Sequence, residues 1–538
     1  MRAAGISLVS ALALLVAGPI WAYPIDGLDG PPTSNELGAL KKGLAVDYRA
    51  PDKTCAGPPC GPFNIFLANH GNNYVYGQSG GAVEGMIALY QVTKDREVMD
   101  GMVYFADQML AHRNDHYRTH DMYTGKPELC WPNKDPGPEY GYCGTEQGDV
   151  LGHITSVALE IVKSPALWKE TTPVPDPLKL GPTYLERARG YLRECRRTID
   201  TFILPELVDA SLRFRFPDSD AFAALGPRYA GNRGRTVPWN QNTMLANGFL
   251  SIAMALDVLG EEPATVAKYD AVVKTWVRAL IDRGVVKGAA QGNPTYDWCY
   301  GSNDKPPSCS EDIGHGGYDF WGVYRAYARP ELGLTMDEVV PFANTFRYKI
   351  MLGTGFAAKV DGSGTGGNVG STWLYAAFFR HDIFPAVAGA LVPAAQKDDP
   401  DSAGRILWGK YMGSRNWQPE ESYGSAPRPD AGADTSGAED GGAPDAASTG
   451  GASGTGGASG GAGSGGAAGT GGRSGSGGQA GEGGSGGSPD EGTGGATTSN
   501  RRSGCAIAGR ATGSWPVLVM LVLALAGRRS LRPRRRKG

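Results

Sequence analysis

Val83–His112 reads VEGMIALYQVTKDREVMDGMVYFADQMLAH. Its first half is apolar on nearly every side and rich in small residues, the composition of a helix buried all round. After a short polar turn, the second half places Val103, Phe105, Ala106, Met109 and Leu110 at helical spacing, so only one of its faces is apolar. A helix buried all round followed by one buried on a single face belongs to a two-layer packing.

The plan recurs. Thr243–Asp282 (TMLANGFLSIAMALDVLGEEPATVAKYDAVVKTWVRALID) and Gly316–Leu352 (GGYDFWGVYRAYARPELGLTMDEVVPFANTFRYKIML) follow it closely. Asp149–Ile203 and Thr372–Leu391 are looser copies, the latter running on to a helix near Ile406. Five to seven such hairpins predict an all-α (α/α) toroid, with an inner and an outer ring. An open solenoid is the alternative, but its repeats are shorter and more uniform. The loops here run from a few residues to several tens.

The toroid is assigned to 23–424. Ahead of it, 1–22 reads as a secretory signal, with Arg2, an apolar Ile6–Val16 and small Ala22 before Tyr23. Behind it, 425–502 is mostly Gly, Ser, Ala, Thr, Asp and Pro, too poor in apolar surface to offset the entropy of ordering. At 503–538 come Gly504-Cys505, an apolar run from Trp515 to Ala526, and clustered Arg. That run, about a dozen residues, is short for a hydrocarbon core of about 30 Å, and the arginines suit a cytoplasmic end. The arrangement resembles the C-terminal sorting tails of myxobacterial surface proteins. The resemblance implies processing at Cys505 and an exported domain at the cell surface, tethered to the outer membrane or released. The second Cys common in such tails is replaced here by Ile507.

The formal charge of −3 conceals ten Lys or Arg after residue 500, so the remainder is mildly acidic and offers no basic field for nucleic acid. Of eight cysteines, Cys55 and Cys60, Cys130 and Cys143, and Cys299 and Cys309 each bracket a short loop. Three local staples are the simplest pairing for an exported chain. Cys195 is left over on a helix, and no Cys has zinc-ligand spacing. His112, His116 and His120 follow an outer helix, where His suits the C-terminal dipole better than a metal. The reading calls for no metal, no cofactor and a monomeric domain.

The segments entering the inner helices carry Tyr76 and Gln78, then Tyr142, Glu146 and Asp149. Arg235, Trp239, Asn240 and Gln241 follow, then Glu311, Asp312, His315, Tyr318 and Asp319, and last Trp373. In a toroid these entrances meet at one end. Aromatic faces for sugar rings and fixed polar groups for hydroxyls are how a glycan site is built. The competing reading is helix capping by Asp149, Asn242 and Asp319. Glu146 and His153 lie about two turns apart on one helix side, and Arg228, Tyr229, Arg233 and Arg235 occupy the loop leading to Trp239.

The hairpins, with PWNQNTMLANGFLSIA and EDIGHGGYDFWGVYRAY, resemble secreted (α/α)-toroid carbohydrate-active enzymes: six-hairpin glycosidases, polysaccharide lyases and glucuronyl C5-epimerase-like domains. The likeness spans most of 67–391, and the NNHSYW-type signature of one alginate-lyase family is absent. It implies β-elimination on an acidic, uronate-containing polysaccharide. The carboxylate charge is countered by Asn240, Arg235 and Glu146, and protons are moved by His153, Tyr229, His315 and Tyr318. Tyr76, Gln78, Tyr142, Trp239, Gln241 and Trp373 are the expected sugar contacts. A hydrolase needs two carboxylates, Glu146 or Asp149 with Glu311 or Asp312. A non-catalytic glycan-binding protein is the third reading.

Overall fold

In the computed structural model, helices that are apolar all round alternate with amphipathic ones. It describes residues 23–45, 73–117, 120–121, 123–131, 140–141, 143–145, 147–353, 355–397 and 399–418, which fall in one compact unit. The expected signal, linker and tail, Cys55, Cys60 and Cys505, and the candidate residues Tyr142 and Glu146 lie outside them.

The main helices are α1 (Ser34–Leu44), α2 (Asn73–Thr93), α3 (Arg96–Ala111), α4 (Gln147–Val162), α5 (Tyr184–Thr198), α6 (Trp239–Leu259), α7 (Pro263–Ala279), α8 (Ile313–Tyr327), α9 (Met336–Thr345), α10 (Phe384–Ala395) and α11 (Pro400–Ser414). A 3-10 helix, Ser371–Phe378, stands between α9 and α10. The outer helices are told where to start. Thr33 caps α1 and Thr183 caps α5, each in a capping box with the Glu three residues on, and Asp95 caps α3.

Packing closes the ring. In order α2, α4, α6, α8, the 3-10 helix and α11 each lie against the next, and α11 returns to α2. Around them α3, α5, α7, α9 and α10 pack outside, and α1 covers α11 and α2. Among the described residues this makes six helix pairs and an all-α toroid, as the repeats predict. The sixth pair was not legible as a hairpin, because α11 takes its outer partner from the start of the domain. Lys410 seals that closure: its ammonium donates to both oxygens of Glu36 at 2.7 and 2.8 Å, with both side chains buried.

Small residues in the inner helices let backbones approach. A Cβ added to Gly85 of α2 would stand 2.5 Å from the Pro400 carbonyl oxygen, and one added to Gly404 would stand 2.8 Å from Gly85 Cα. Helix α6 is long and apolar enough to cross a bilayer by composition, yet it is buried within the ring. Between α7 and α8 a hairpin, β1 (Val286–Ala290) and β2 (Asn293–Asp297), pairs Val286 with Asp297 and Ala290 with Asn293. Gln291 and Gly292 both have positive φ, which suits a two-residue turn. The disulfides Cys130–Cys143 and Cys299–Cys309 form as spaced. Cys195 is buried on α5, its thiol pushed up to about 12 by burial, which leaves it inert.

Candidate active site

Each inner helix turns a polar stripe toward the ring's axis. On α4 the stripe is Asp149, His153 and Ser156; on α8, Tyr318, Trp321 and Arg325; on α11, Asp401, Arg405 and Trp408. Two contacts prove that these stripes face inward, because they join helices that are not ring neighbours. The Tyr318 hydroxyl donates to Asp149 Oδ1 at 2.5 Å, crossing from α8 to α4. The Arg405 guanidinium of α11 lies 5.3 Å from the Trp321 ring centre on α8.

Glu84, from the middle of α2, anchors the cluster. Its Oε1 is 3.1 Å from His153 Nδ1, and its Oε2 accepts from Arg405 Nη2 at 3.4 Å. Arg405 is further held by Asp401 at 2.6 Å, which in turn accepts from Ser371. Tyr375 of the 3-10 helix stands 5.2 Å from the same guanidinium. Arg325 donates to Ser251 of α6 at 2.7 Å and lies 5.4 Å from Trp321.

The two carboxyls are tuned in opposite directions. Burial alone would raise Glu84, but the His153 hydrogen bond and the charges of Arg405, His153 and Arg325 hold it down at about 2. Asp149 is raised, chiefly by burial, with the Glu84 anion adding to the shift against His153 and the Tyr318 hydrogen bond. Tyr318 goes well above the ordinary phenol range, from burial and the Asp149 charge. A carboxylate held ionised beside one whose proton affinity is raised allows an acid/base division of labour. Arg405 Nη1 is buried with no partner among the described residues.

Among solved structures, the chain is similar to the unsaturated glucuronyl hydrolase of Bacillus sp. GL1, described as responsible for the degradation of glycosaminoglycan. The identity is 14% and the TM-score 0.32, over 71% of this chain and 79% of that one. No family model matches the chain, and no curated protein does.

Of the residues singled out from the sequence, His153 and Tyr318 meet inside the ring. Asn240 lies on one α6 stripe with Asn247 and Ser251, buried and with Oδ1 unpartnered among the described residues. Gln241 is likewise buried, with Oε1 unpartnered. His315 sits in the first turn of α8, its Nδ1 2.5 Å from Asp312 Oδ2 and its ring 5.1 Å from that of Tyr300. Tyr229 packs on Phe222 at 5.4 Å, Arg233 pairs with Asp218 at 2.9 Å, and Arg235 is exposed. These three belong to the excursion between α5 and α6. Tyr76 and Gln78 lie on the first half of α2.

Both tryptophans expected to touch sugar are turned away from the axis. Trp239 wedges against Gly284 after α7, where a Cβ would come within 2.6 Å of its ring. Trp373 is fully buried, stacked on Phe320, with Nε1 donating to the Ile313 carbonyl. Capping also differs from expectation. Asp312 is the cap of α8, and Asp149 and Asp319 lie within their helices. Asn242 donates back to the Val237 and Pro238 carbonyls.

Glu84, Arg325 and Arg405 were missed. Glu84 is the lone charge of α2, and that isolation was the available clue; Arg325 and Arg405 share their helices with Asp319 and with Asp401 and Lys410, and a charge taken out of water needs a partner from elsewhere in the fold.

Proposed function

We propose that the chain is a glycan-active enzyme that hydrolyses an acidic polysaccharide inside the ring. The observation that supports this reading is the Glu84–Asp149 pair: two enclosed carboxyls, His153 bonded to the first, with proton affinities shifted in opposite directions. A two-carboxylate mechanism needs such a pair. Elimination was the first expectation from the sequence because His, Tyr, Asn and Arg stand at the helix entrances, whereas no second carboxylate stood clear of capping duty. Glu84 caps nothing.

In this mechanism protonated Asp149 gives its proton to the glycosidic oxygen as the bond from the anomeric carbon to that oxygen breaks. Glu84, held near 2, is a weak base but a permanent anion, so its role is to stabilise the positive charge at the anomeric carbon. Asp149, now a carboxylate, then takes a proton from the water that adds to that carbon. Tyr318 positions Asp149, and His153 with Arg405 keeps Glu84 ionised. The charge of the Arg405 guanidinium beside the pair favours an acidic sugar over a neutral one.

A second reading, β-elimination by a lyase, draws on the same arginine as countercharge and on Tyr318 and His153 as proton carriers. Incubation of the chain with alginate, glucuronan, pectate and hyaluronan separates the two. New reducing ends without ultraviolet absorbance support hydrolysis; absorbance of an unsaturated uronate end in step with the cuts supports elimination. Neither product from any polymer would favour an epimerase or a glycan-binding role and sink the hydrolytic proposal. Placement at the cell surface is part of the same proposal, since an acidic polymer is met outside the cell.

A further inference from the structure

Outside the ring, where α6 begins and α7 ends, lies a cleft of about 210 Å³. Trp239 and Trp276 form part of its wall, and Arg213, Arg283 and Lys305 stand around it. Both indoles are at least nine-tenths buried, and both Nε1–H groups are without an acceptor among the described residues. Arg213 is held by Asp209 at 2.8 Å. Arg283 and Lys305 are exposed and have no carboxylate in ion-pair range among the described residues. The charged side chains of the wall are all cationic. Two uncompensated cations on a wall with no acidic side chain are complementary to an anion.

The cleft is also tied to the mouth of the ring. One wall, with Ser302, Asn303 and Lys305, belongs to the loop stapled by Cys299–Cys309. That loop presents Tyr300, a 39% exposed aromatic whose ring lies against His315 at the entrance of α8. The Tyr300 carbonyl accepts from the Trp239 backbone N–H at 3.3 Å, which fixes the loop to the start of α6. A chain of sugars leaving the ring beside His315 crosses an aromatic face at Tyr300 before it reaches the cations.

We infer that this cleft is a second carbohydrate subsite, which holds an anionic sugar unit of the polymer outside the reaction centre. The inference rests on the proposed acidic polysaccharide and deepens it: the enzyme then acts on long acidic chains and grips them at a distance from the cut. The carboxylate or sulfate of the bound unit sits against Arg283 and Lys305, and the disulfide keeps the loop that carries Lys305 in place.

The test uses the full chain and octasaccharides of hyaluronan, alginate and pectate, each beside its carboxyl-reduced, neutral counterpart. Binding is read by calorimetry and by tryptophan fluorescence, with the double variant Arg283→Ala/Lys305→Ala alongside. The expected result is that at least one acidic octasaccharide binds more tightly than its neutral counterpart. The variant weakens that binding roughly fivefold or more, an effect that added salt erases. If turnover is found, KM for the octasaccharide rises while kcat, and all activity on a disaccharide, stay unchanged. The charge-keeping variant Arg283→Lys/Lys305→Arg restores affinity and controls for a folding effect. Equal affinity of the double variant and the parent for every acidic octasaccharide would overturn the subsite. Absence of turnover with this charge-dependent binding intact would overturn only the hydrolytic proposal.

Discussion

Two groups of buried acids lie on the inner ring, and they have opposite surroundings. Glu84, beside Asp149, has His153, Arg405 and Arg325 around it and is held at about 2. Glu311 and Asp319, at the start of α8, are more deeply buried, yet they receive little compensation. Trp298 Nε1 donates to Asp319 Oδ2 at 2.9 Å, but Asp319 Oδ1 and Glu311 Oε2 have no partner among the described residues. Burial therefore dominates, and Asp319 rises to about 7 while Glu311 also goes up, each opposing ionisation of the other. Glu84, surrounded by cations, is held down, while the more deeply buried Glu311 and Asp319, with less countercharge, are raised.

The sharpest way to break this contrast is at the proposed acid. Asp149→Asn removes the transferable proton and is expected to lower kcat by about a thousandfold, roughly 4 kcal/mol of barrier. Loss of less than tenfold in steady-state turnover would remove Asp149 from the chemical step.

Next comes acid stability. A carboxyl with a folded pKa near 2, against 4.5 when unperturbed, stabilises the fold above pH 4.5. That contribution declines as pH falls from there toward 2. On this basis Glu84 contributes on the order of 3 kcal/mol at neutral pH. Denaturant titrations of Glu84→Gln should lack that part of the acid loss. A variant that follows the parent curve through the window would show that Glu84 is not ionised by its neighbours.

Asp319 carries the opposite sign. Its folded pKa is raised to about 7 from 3.8, so its contribution is complete below 3.8 and is lost as pH rises through 7. Asp319→Asn, which keeps an acceptor for Trp298, should therefore gain stability over the parent above pH 7. The gain is on the order of 2 kcal/mol, and calorimetric unfolding at pH 6 and pH 9 measures it. An unchanged difference between the two pH values would mean that the pair holds no extra proton.

The smallest effect separates the two histidines. His153→Ala loosens Glu84 and is expected to reduce turnover by roughly a hundredfold; His315 holds the cap Asp312, stands 3.7 Å from Glu311 and neighbours Tyr300, and His315→Ala should cost less than about tenfold. Reversal of that order in measured kcat would place the reaction at the α8 entrance instead.

Much of this architecture was legible before any coordinates. Alternation of all-round and one-sided helices specifies two layers, since every apolar face must be covered, and short Cys spacings specify local staples at Cys130–Cys143 and Cys299–Cys309. His153 and Tyr318 were legible too, because polar residues at the starts of inner helices converge wherever the ring closes. Charges within the inner helices were not. Glu84, Arg325 and Arg405 each read as an interruption in an apolar stretch, and residues 84 and 405 meet only because α11 returns to α2. The same holds for Trp239, whose position beside a glycan-like motif gave no sign that its ring turns outward onto Gly284.

The sequence by itself determined the helical pairs, their two-layer packing and the loop disulfides, because periodicity and short-range spacing are local properties of the chain. Only the tertiary structure decided which acids stand beside cations, and hence which one keeps its proton. Electrostatic environment depends on distance in space, and ring closure brings together side chains that sequence separation hides.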